Sequence, residues 1–419
     1  MFCTFELIKN EKIVKFVVRF CIFIKLNYKQ MKTLYQKFEI LLENTTTDFK
    51  RYLYKKVSWD SRMVGIVGAR GVGKTTMVLQ YIKENLDSKK ALYVSADDMY
   101  FGKNRLFDLA DFFYKNAGEY LFIDEIHKYN DWSRELKNIY DSFPGLKVVF
   151  TGSSILDILK GSADLSRRAI IYKLQGLSFR EYLNFFHNNE IKVYSLEQII
   201  NNEAKLDSIQ HPLPLFYDYL KQGYYPFGIE NEMNLRLGQI IVQTLESDIP
   251  QYANLNVGTS RKLKRLLSII AESVPFKPNF TKISEMIRVS RNSLDDYFLY
   301  MEKAGLIAQL RNETSGIRGL GKVDKVYLDN TNIIFNLVGD NSNVGNLRET
   351  FFFNQMRVKN EVISSKKADF SIDKYTFEVG GRNKQQRQIK KDFNSFIVKD
   401  DIEYGYLNVI PLWAFGLNY

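Results

Sequence analysis

Residues 65–82 read GIVGARGVGKTTMVLQYI, and this stretch restricts the fold more tightly than any other in the chain. Gly68, Ala69, Arg70, Gly71, Val72, Gly73, Lys74 and Thr75 spell glycine, four residues, glycine, lysine, threonine. The run Met63–Val67 ahead of them is short and apolar, as a buried parallel strand should be. Behind them Val78, Ile82 and Leu86 recur at helical spacing. Strand, glycine loop and helix in that order are what a phosphate-binding turn needs. Glycines let several backbone N–H groups converge on an anion, and the helix N-terminus adds its partial positive charge. On this reading Gly68 through Thr76 bind a nucleotide, Lys74 reaches the outer phosphates and the Thr75 hydroxyl ligates Mg²⁺. The bland alternative is a glycine turn ahead of an ordinary helix.

A second motif agrees. In EYLFIDEIHKYNDW, residues 119–132, the apolar run Tyr120–Ile123 ends in Asp124 and Glu125. Two acids at the end of a buried strand are unfavourable unless they do chemistry. Asp124 is expected to hold the metal, and Glu125 to orient or deprotonate the attacking water. His127 reads as a polar neighbour rather than a ligand. Next, LKVVFTGSS places Thr151 or Ser153 where a sensor of the terminal phosphate belongs, or simply where a strand ends in a polar turn. In SADLSRRAIIYKLQGLSFREYL, Arg167 and Arg168 precede the strand-like run Ala169–Leu174. Either is a candidate arginine finger, in cis or across a subunit interface, with Arg168 taken as the catalytic choice. Two arginines on a solvated turn are the alternative.

This order of motifs resembles the prokaryotic AAA-type P-loop ATPases that carry a winged-helix region and a C-terminal restriction-endonuclease-like domain of uncharacterised function. The resemblance runs from about Met31 to the end of the sequence. It implies an α/β fold, a P-loop NTPase parallel-sheet core with a helical lid, a winged helix-turn-helix and a C-terminal endonuclease-like α/β domain. It also implies ATP and Mg²⁺ as cofactors and ATP hydrolysis as the activity, because the phosphate loop itself reads phosphates and not the base. The acidic pair resembles the hydrolysing nucleotidases of the additional-strand type rather than the kinases. In the family a glycine usually precedes the second arginine. Here Arg167 stands there, which leaves the finger open between Arg167 and Arg168.

The core is assigned to residues 31–178 and a helical lid to 179–257, where FREYLNFF, LEQIINNEA and LRLGQIIVQTLESD repeat apolar residues at three and four. Residues 258–335 read as a winged helix-turn-helix. Ile283, Met286 and Ile287 are expected to face inward, Ser290 and Asn292 to cap the next helix, and Leu294, Phe298, Met301 and Leu306 to continue its apolar face. Arg291, Asn292 and Ser293 would lead that helix into a DNA groove, but Asp295 and Asp296 follow, and carboxylates face phosphates badly. A protein-packing module is the alternative. Residues 336–419 place Glu349 on a helix and Asp369 and Glu378 on adjacent strands, the layout of the endonuclease-like fold, in which carboxylates hold Mg²⁺. Gly380 replaces the usual lysine, so Lys384 is the candidate substitute in a second site of Glu349, Asp369, Glu378 and Lys384. Arg382, Lys384, Arg387, Lys390 and Lys391 suit phosphate contact, or a solvated helix face.

Composition adds bounds. Residues 1–30, apolar but broken by Lys15, Arg19 and Lys25, lack the uninterrupted run of a spanning helix. They read as a start-site extension before Met31, or as a basic membrane-surface segment. No integral membrane segment is expected. The only cysteines, Cys3 and Cys21, leave no disulfide framework in the body of the chain, which fits a cytoplasmic setting. His127, His187 and His211 are too scattered for a metal cluster. A net charge of +11 permits a polyanionic partner. Three functions follow: an ATPase working on double-stranded DNA or a protein partner, a slow nucleotide-gated switch that acts by binding, and an ATP-gated metal-dependent nuclease. A homo-oligomer is compatible with each.

Overall fold

The computed structural model describes residues 31–152, 165–253, 255, 257–272, 277–312, 322–381 and 394–419. Helix α1, over residues 31–43, lays Met31, Leu34 and Phe38 on the core. Strand β1 (Met63–Val67) leads through the glycine loop into α2 (Lys74–Asn85). There follow β2 (Ala91–Ser95), α3 (Leu106–Lys115), β3 (Tyr120–Asp124), α4 (Trp132–Ser142), β4 (Lys147–Gly152) and β5 (Ile170–Lys173). These strands form one parallel sheet in the order β2-β3-β4-β1-β5. β1 and β3 are buried at every position, as strands covered on both faces must be. β4 lies between β1 and β3, so the acids ending β3 sit one strand away from the phosphate loop, at the same carboxyl edge of the sheet. That is the P-loop NTPase core.

The chain then turns helical. α5 (Phe179–Phe186) starts in a capping box: the Ser178 hydroxyl accepts from the Glu181 N–H, and the Glu181 carboxylate accepts from the Ser178 N–H. α6 (Leu196–Ile200) starts in a second box built by Ser195 and Gln198. α7 (Pro212–Asp218) runs into a π-turn at Tyr219–Gly223, and α8 (Met233–Gln243) into another at Thr244–Asp248, before α9 (Ile249–Ala253).

Helices α10 (Val257–Glu272), α11 (Phe280–Ile287) and α12 (Arg291–Lys303) precede the antiparallel pair β6 (Ile307–Arg311) and β7 (Val323–Leu328). Residues 313–321, between these two strands, lie outside the described residues. Ser290 caps α12 as expected, accepting from the Ser293 N–H. Ile283, Ile287, Leu294, Phe298, Met301 and Leu306 are buried, but Met286 is 41% exposed, because α11 packs too narrow a stripe to cover it.

α13 (Thr331–Val338) runs across 335/336, so the expected cut there falls inside a helix. α14 (Val344–Met356) packs on a mixed sheet of β8 (Val362–Ser364), β9 (Phe370–Ile372), β10 (Tyr375–Gly380), β11 (Ser395–Lys399) and β12 (Val409–Pro411). β8, β9 and β10 pair antiparallel, and β10, β11 and β12 parallel. Phe352 joins Phe370, Phe377 and Phe415 between helix and sheet. One apolar core runs from Met31 to Leu417. At its far end the Tyr419 carbonyl accepts from the Ser178 hydroxyl at 2.6 Å and from Arg180 Nε at 2.8 Å.

Candidate nucleotide site

The loop after β1 closes as its glycines demand. A Cβ on Gly68 would lie 2.3 Å from the Leu174 carbonyl oxygen. Gly71 has φ +79°, and a Cβ there would meet the Phe227 ring at 2.5 Å. Inside the loop, Lys74 Nζ donates to the carbonyls of Gly68 and Ala69 at 2.9 and 2.8 Å. Burial pushes the Lys74 ammonium down to about 8, against the supporting charges of Glu125 and Asp124.

Asp124 gathers the rest. Its carboxylate accepts from Thr75 Oγ1 at 2.6 Å, Tyr93 Oη at 2.6 Å, the Thr151 hydroxyl and the Glu125 N–H at 3.1 Å. Three strands and the start of α2 therefore meet at one acid that is 5% exposed. The expected set of Lys74, Thr75, Asp124 and Thr151 is thus brought together. Glu125 sits beside it at φ 50°. Its carboxylate lies 3.4 Å from Nε2 of buried His127, the polar neighbour expected. Thr75 and Asp124 offer hard oxygen donors at one point next to a buried ammonium, a donor set that fits Mg²⁺.

Other residues at the site were not singled out in the sequence. Tyr93, at an inward position of β2, fixes Asp124; strand alternation was the signal available. Buried Arg51 donates to the Val72 carbonyl within the loop, to the carbonyls of Gln175 and Gly176 at 2.7 and 2.9 Å, and to Glu181 at 3.1 Å. Arg70 pairs with Asp248 of the second π-turn. Nothing in the local sequence links these partners. A cavity of about 290 Å³ opens off the loop, lined by Thr46, Phe49, Gly73, Thr76, Phe185 and Pro226 among others. The Phe49 and Phe185 rings are 4.7 Å apart.

Several expectations are corrected. Arg168 precedes β5 at the amino edge of the sheet, whereas the phosphate loop leaves the carboxyl edge of β1. It pairs with Asp141 at 3.1 Å, so it does not serve as a finger within this chain. Arg167 beside it is exposed. Ser153 lies outside the described residues, as do Lys384 and the basic residues Arg382, Arg387, Lys390 and Lys391. In the second site, Glu349 and Asp369 do meet, but around Lys325 of β7, at 3.1 and 3.2 Å. Tyr327 Oη donates to Glu349 at 2.6 Å. Glu378 alternates with buried Phe377 and Val379 along β10, the strand beside Asp369, whose Oδ2 accepts from the Val379 N–H at 3.0 Å. Among the described residues no three acidic, histidine or cysteine side chains gather into a metal group. Among them, too, no helix is long and apolar enough to cross a membrane.

Residues 60–183 match a sequence family described as an AAA domain, and residues 213–343 match one described as a domain of unknown function. An uncharacterized protein of Methanocaldococcus jannaschii is 26% identical over 270 residues, covering 59% of this chain and 56% of its own length. The chain thus spans about half the length of that curated relative. Among solved structures, the Walker-type ATPase of Pyrococcus abyssi is 13% identical with a TM-score of 0.43, over 69% of this chain and 95% of its own. DnaA from Aquifex aeolicus, solved with AMPPCP, is 13% identical with a TM-score of 0.25, over 60% and 85%. The strand order gives this part of the chain a P-loop NTPase fold, and its residues 60–183 are similar to the AAA domain family.

Proposed function

We propose that the chain binds ATP with Mg²⁺ at residues 68–76, hydrolyses it, and uses the change to act on double-stranded DNA or a protein partner. The observation that carries this reading is the 2.6 Å contact of Thr75 Oγ1 with Asp124 Oδ2, beside Lys74. Lys74 binds the outer phosphates, and the loop N–H groups hold the remainder. Thr75 and Asp124 hold the metal, which supplies charge stabilisation to the transferring phosphoryl group. Glu125 orients the attacking water and accepts its proton. Thr151, tied to Asp124, stands as the sensor of the terminal phosphate. The base is assigned to the cavity beside Phe49 and Phe185, because that cavity shares Gly73 and Thr76 with the loop. Residues 258–335 and 336–419 are the proposed DNA-facing parts, and the cytoplasm the proposed setting.

The test is steady-state ATP hydrolysis by the full chain, with and without double-stranded DNA, beside Lys74→Ala and Glu125→Gln. Hydrolysis lost in both variants and raised by DNA in the wild type supports the reading. Wild-type activity unchanged by both substitutions refutes it. A second reading, a slow switch that acts by binding, draws support from the close cover of the phosphate loop by Phe227. ATP binding without turnover, together with a nucleotide-dependent change in oligomeric state, would decide for it; Arg168 would then act as a finger on the site of a neighbouring copy. The nuclease reading is the weakest of the three, since Glu349 and Asp369 are already paired with Lys325.

A further inference from the structure

Arg70 lies inside the glycine loop, between Ala69 and Gly71, yet its guanidinium is turned to the helical segment. Nε donates to Asp248 Oδ2 at 2.8 Å and Nη2 to Oδ1 at 3.0 Å, a two-pronged pair. Asp248 is 4% exposed, and Lys128, three residues past Glu125, approaches its Oδ1 at 4.0 Å. One carboxylate therefore sits beside both Arg70 and Lys128. A guanidinium binds carboxylate and phosphate with the same planar geometry, so the two anions compete for it. Asp248 also ends a π-turn, a rare widened helical turn that often marks a functional site. In the same turn, Glu246 pairs with Lys264 of α10 at 2.5 Å. One turn of chain thus has an acid on the phosphate loop and an acid on the first helix of the winged-helix-like unit. The α12–β6 turn touches the loop as well: a Cβ on Gly305 would lie 3.3 Å from Ala69 Cβ.

We propose that Asp248 is an internal counter-anion that the terminal phosphate of a nucleoside triphosphate displaces from Arg70, releasing the Thr244–Asp248 turn and the α10 helix held by it. Arg70 then contacts the phosphate, and a diphosphate, which lacks that group, leaves the Arg70–Asp248 pair in place. This rests on the reading of residues 68–76 as the phosphate site.

The test uses the full chain with Mg²⁺ and measures equilibrium binding of a non-hydrolysable ATP analogue and of ADP to wild type, Asp248→Asn, Arg70→Ala and Lys74→Ala. Asp248→Asn is expected to tighten the triphosphate by about tenfold and to change ADP by less than about threefold. Arg70→Ala is expected to weaken the triphosphate by about tenfold, again with little effect on ADP. Hydrogen exchange over residues 244–253 of the wild type is to rise with the triphosphate and not with ADP, a readout that needs no variant to fold. If both variants weaken triphosphate and ADP alike, or exchange responds equally to both ligands, Asp248 is a static clasp and the proposal is overturned. If Lys74→Ala binds as the wild type does, or the wild type binds neither nucleotide, the phosphate-site reading falls and the proposal with it.

Discussion

Replacing Arg51 with methionine removes the cation that ties the phosphate loop to the start of α5. Its guanidinium holds the Val72 carbonyl, the carbonyls of Gln175 and Gly176, and the fully buried Glu181 carboxylate. In Arg51→Met, Glu181 stays in the interior with the N–H groups of Tyr52 and Ser178 as remaining donors. Breaking a buried pair from one side costs about 3–5 kcal/mol, because the surviving charge is left uncompensated. For a chain of 419 residues that is a fall in Tm of about 3–6 °C. The assay is thermal unfolding of wild type, Arg51→Met, Glu181→Gln and the double variant, with nucleotide affinity measured in parallel. The double variant is expected to be more stable than Arg51→Met alone, since no buried charge remains. Affinity should stay low in both, because the Val72 carbonyl has lost its anchor. A single variant within about 2 °C of wild type, or two substitutions whose effects simply add, would refute the account of Arg51 as the anchor of the loop.

Two further outcomes follow from buried charge. Burial, with Lys128 next in weight, pushes the His127 imidazole down to about 4. A base lowered on folding stabilises the chain above its unfolded value and loses that stability as pH falls. Between about pH 7 and pH 5 the linked loss is about 2 kcal/mol. An NMR titration of labelled histidines, assigned with His127→Gln, should show no inflection from His127 near its ordinary value of 6.5, and an inflection there sinks the argument. In the C-terminal unit, Lys325→Met should destabilise by on the order of 2 kcal/mol, below the fully buried figure because the three groups keep some solvent contact. Burial and the neighbouring Asp369 already raise the Glu349 carboxyl, and loss of Lys325 raises it further, so the deficit should shrink as pH falls. A deficit that grows on acidification would contradict this.

Much of the core and site was legible in the chain because its chemistry is local. The loop from Gly68 to Thr75 needs glycines at set positions whatever surrounds it. The acids at the end of β3 stand out because a buried strand has no other use for them. Ser178 and Glu181 announce a helix start by their spacing alone, and Ser290 likewise. The misreadings share another cause. Arg168 looked catalytic by its neighbours in sequence, yet the direction of β5 sets it at the opposite edge of the sheet from the loop. Glu349, Asp369 and Glu378 looked like one cluster, but a lysine from β7 stands between the first two.

By itself the sequence determined that a phosphate-type loop follows a buried strand and that an acid pair ends a second one, since both depend on residues a few positions apart. Only the tertiary structure decided that β4 lies between those strands, that Tyr93 and Thr151 share Asp124, and that Arg51 and Arg70 clasp acids 130 and 178 residues away. The physical reason is range. Capping, alternation and glycine conformations act within a turn or a strand, whereas an ion pair depends on which surfaces the packed core brings together.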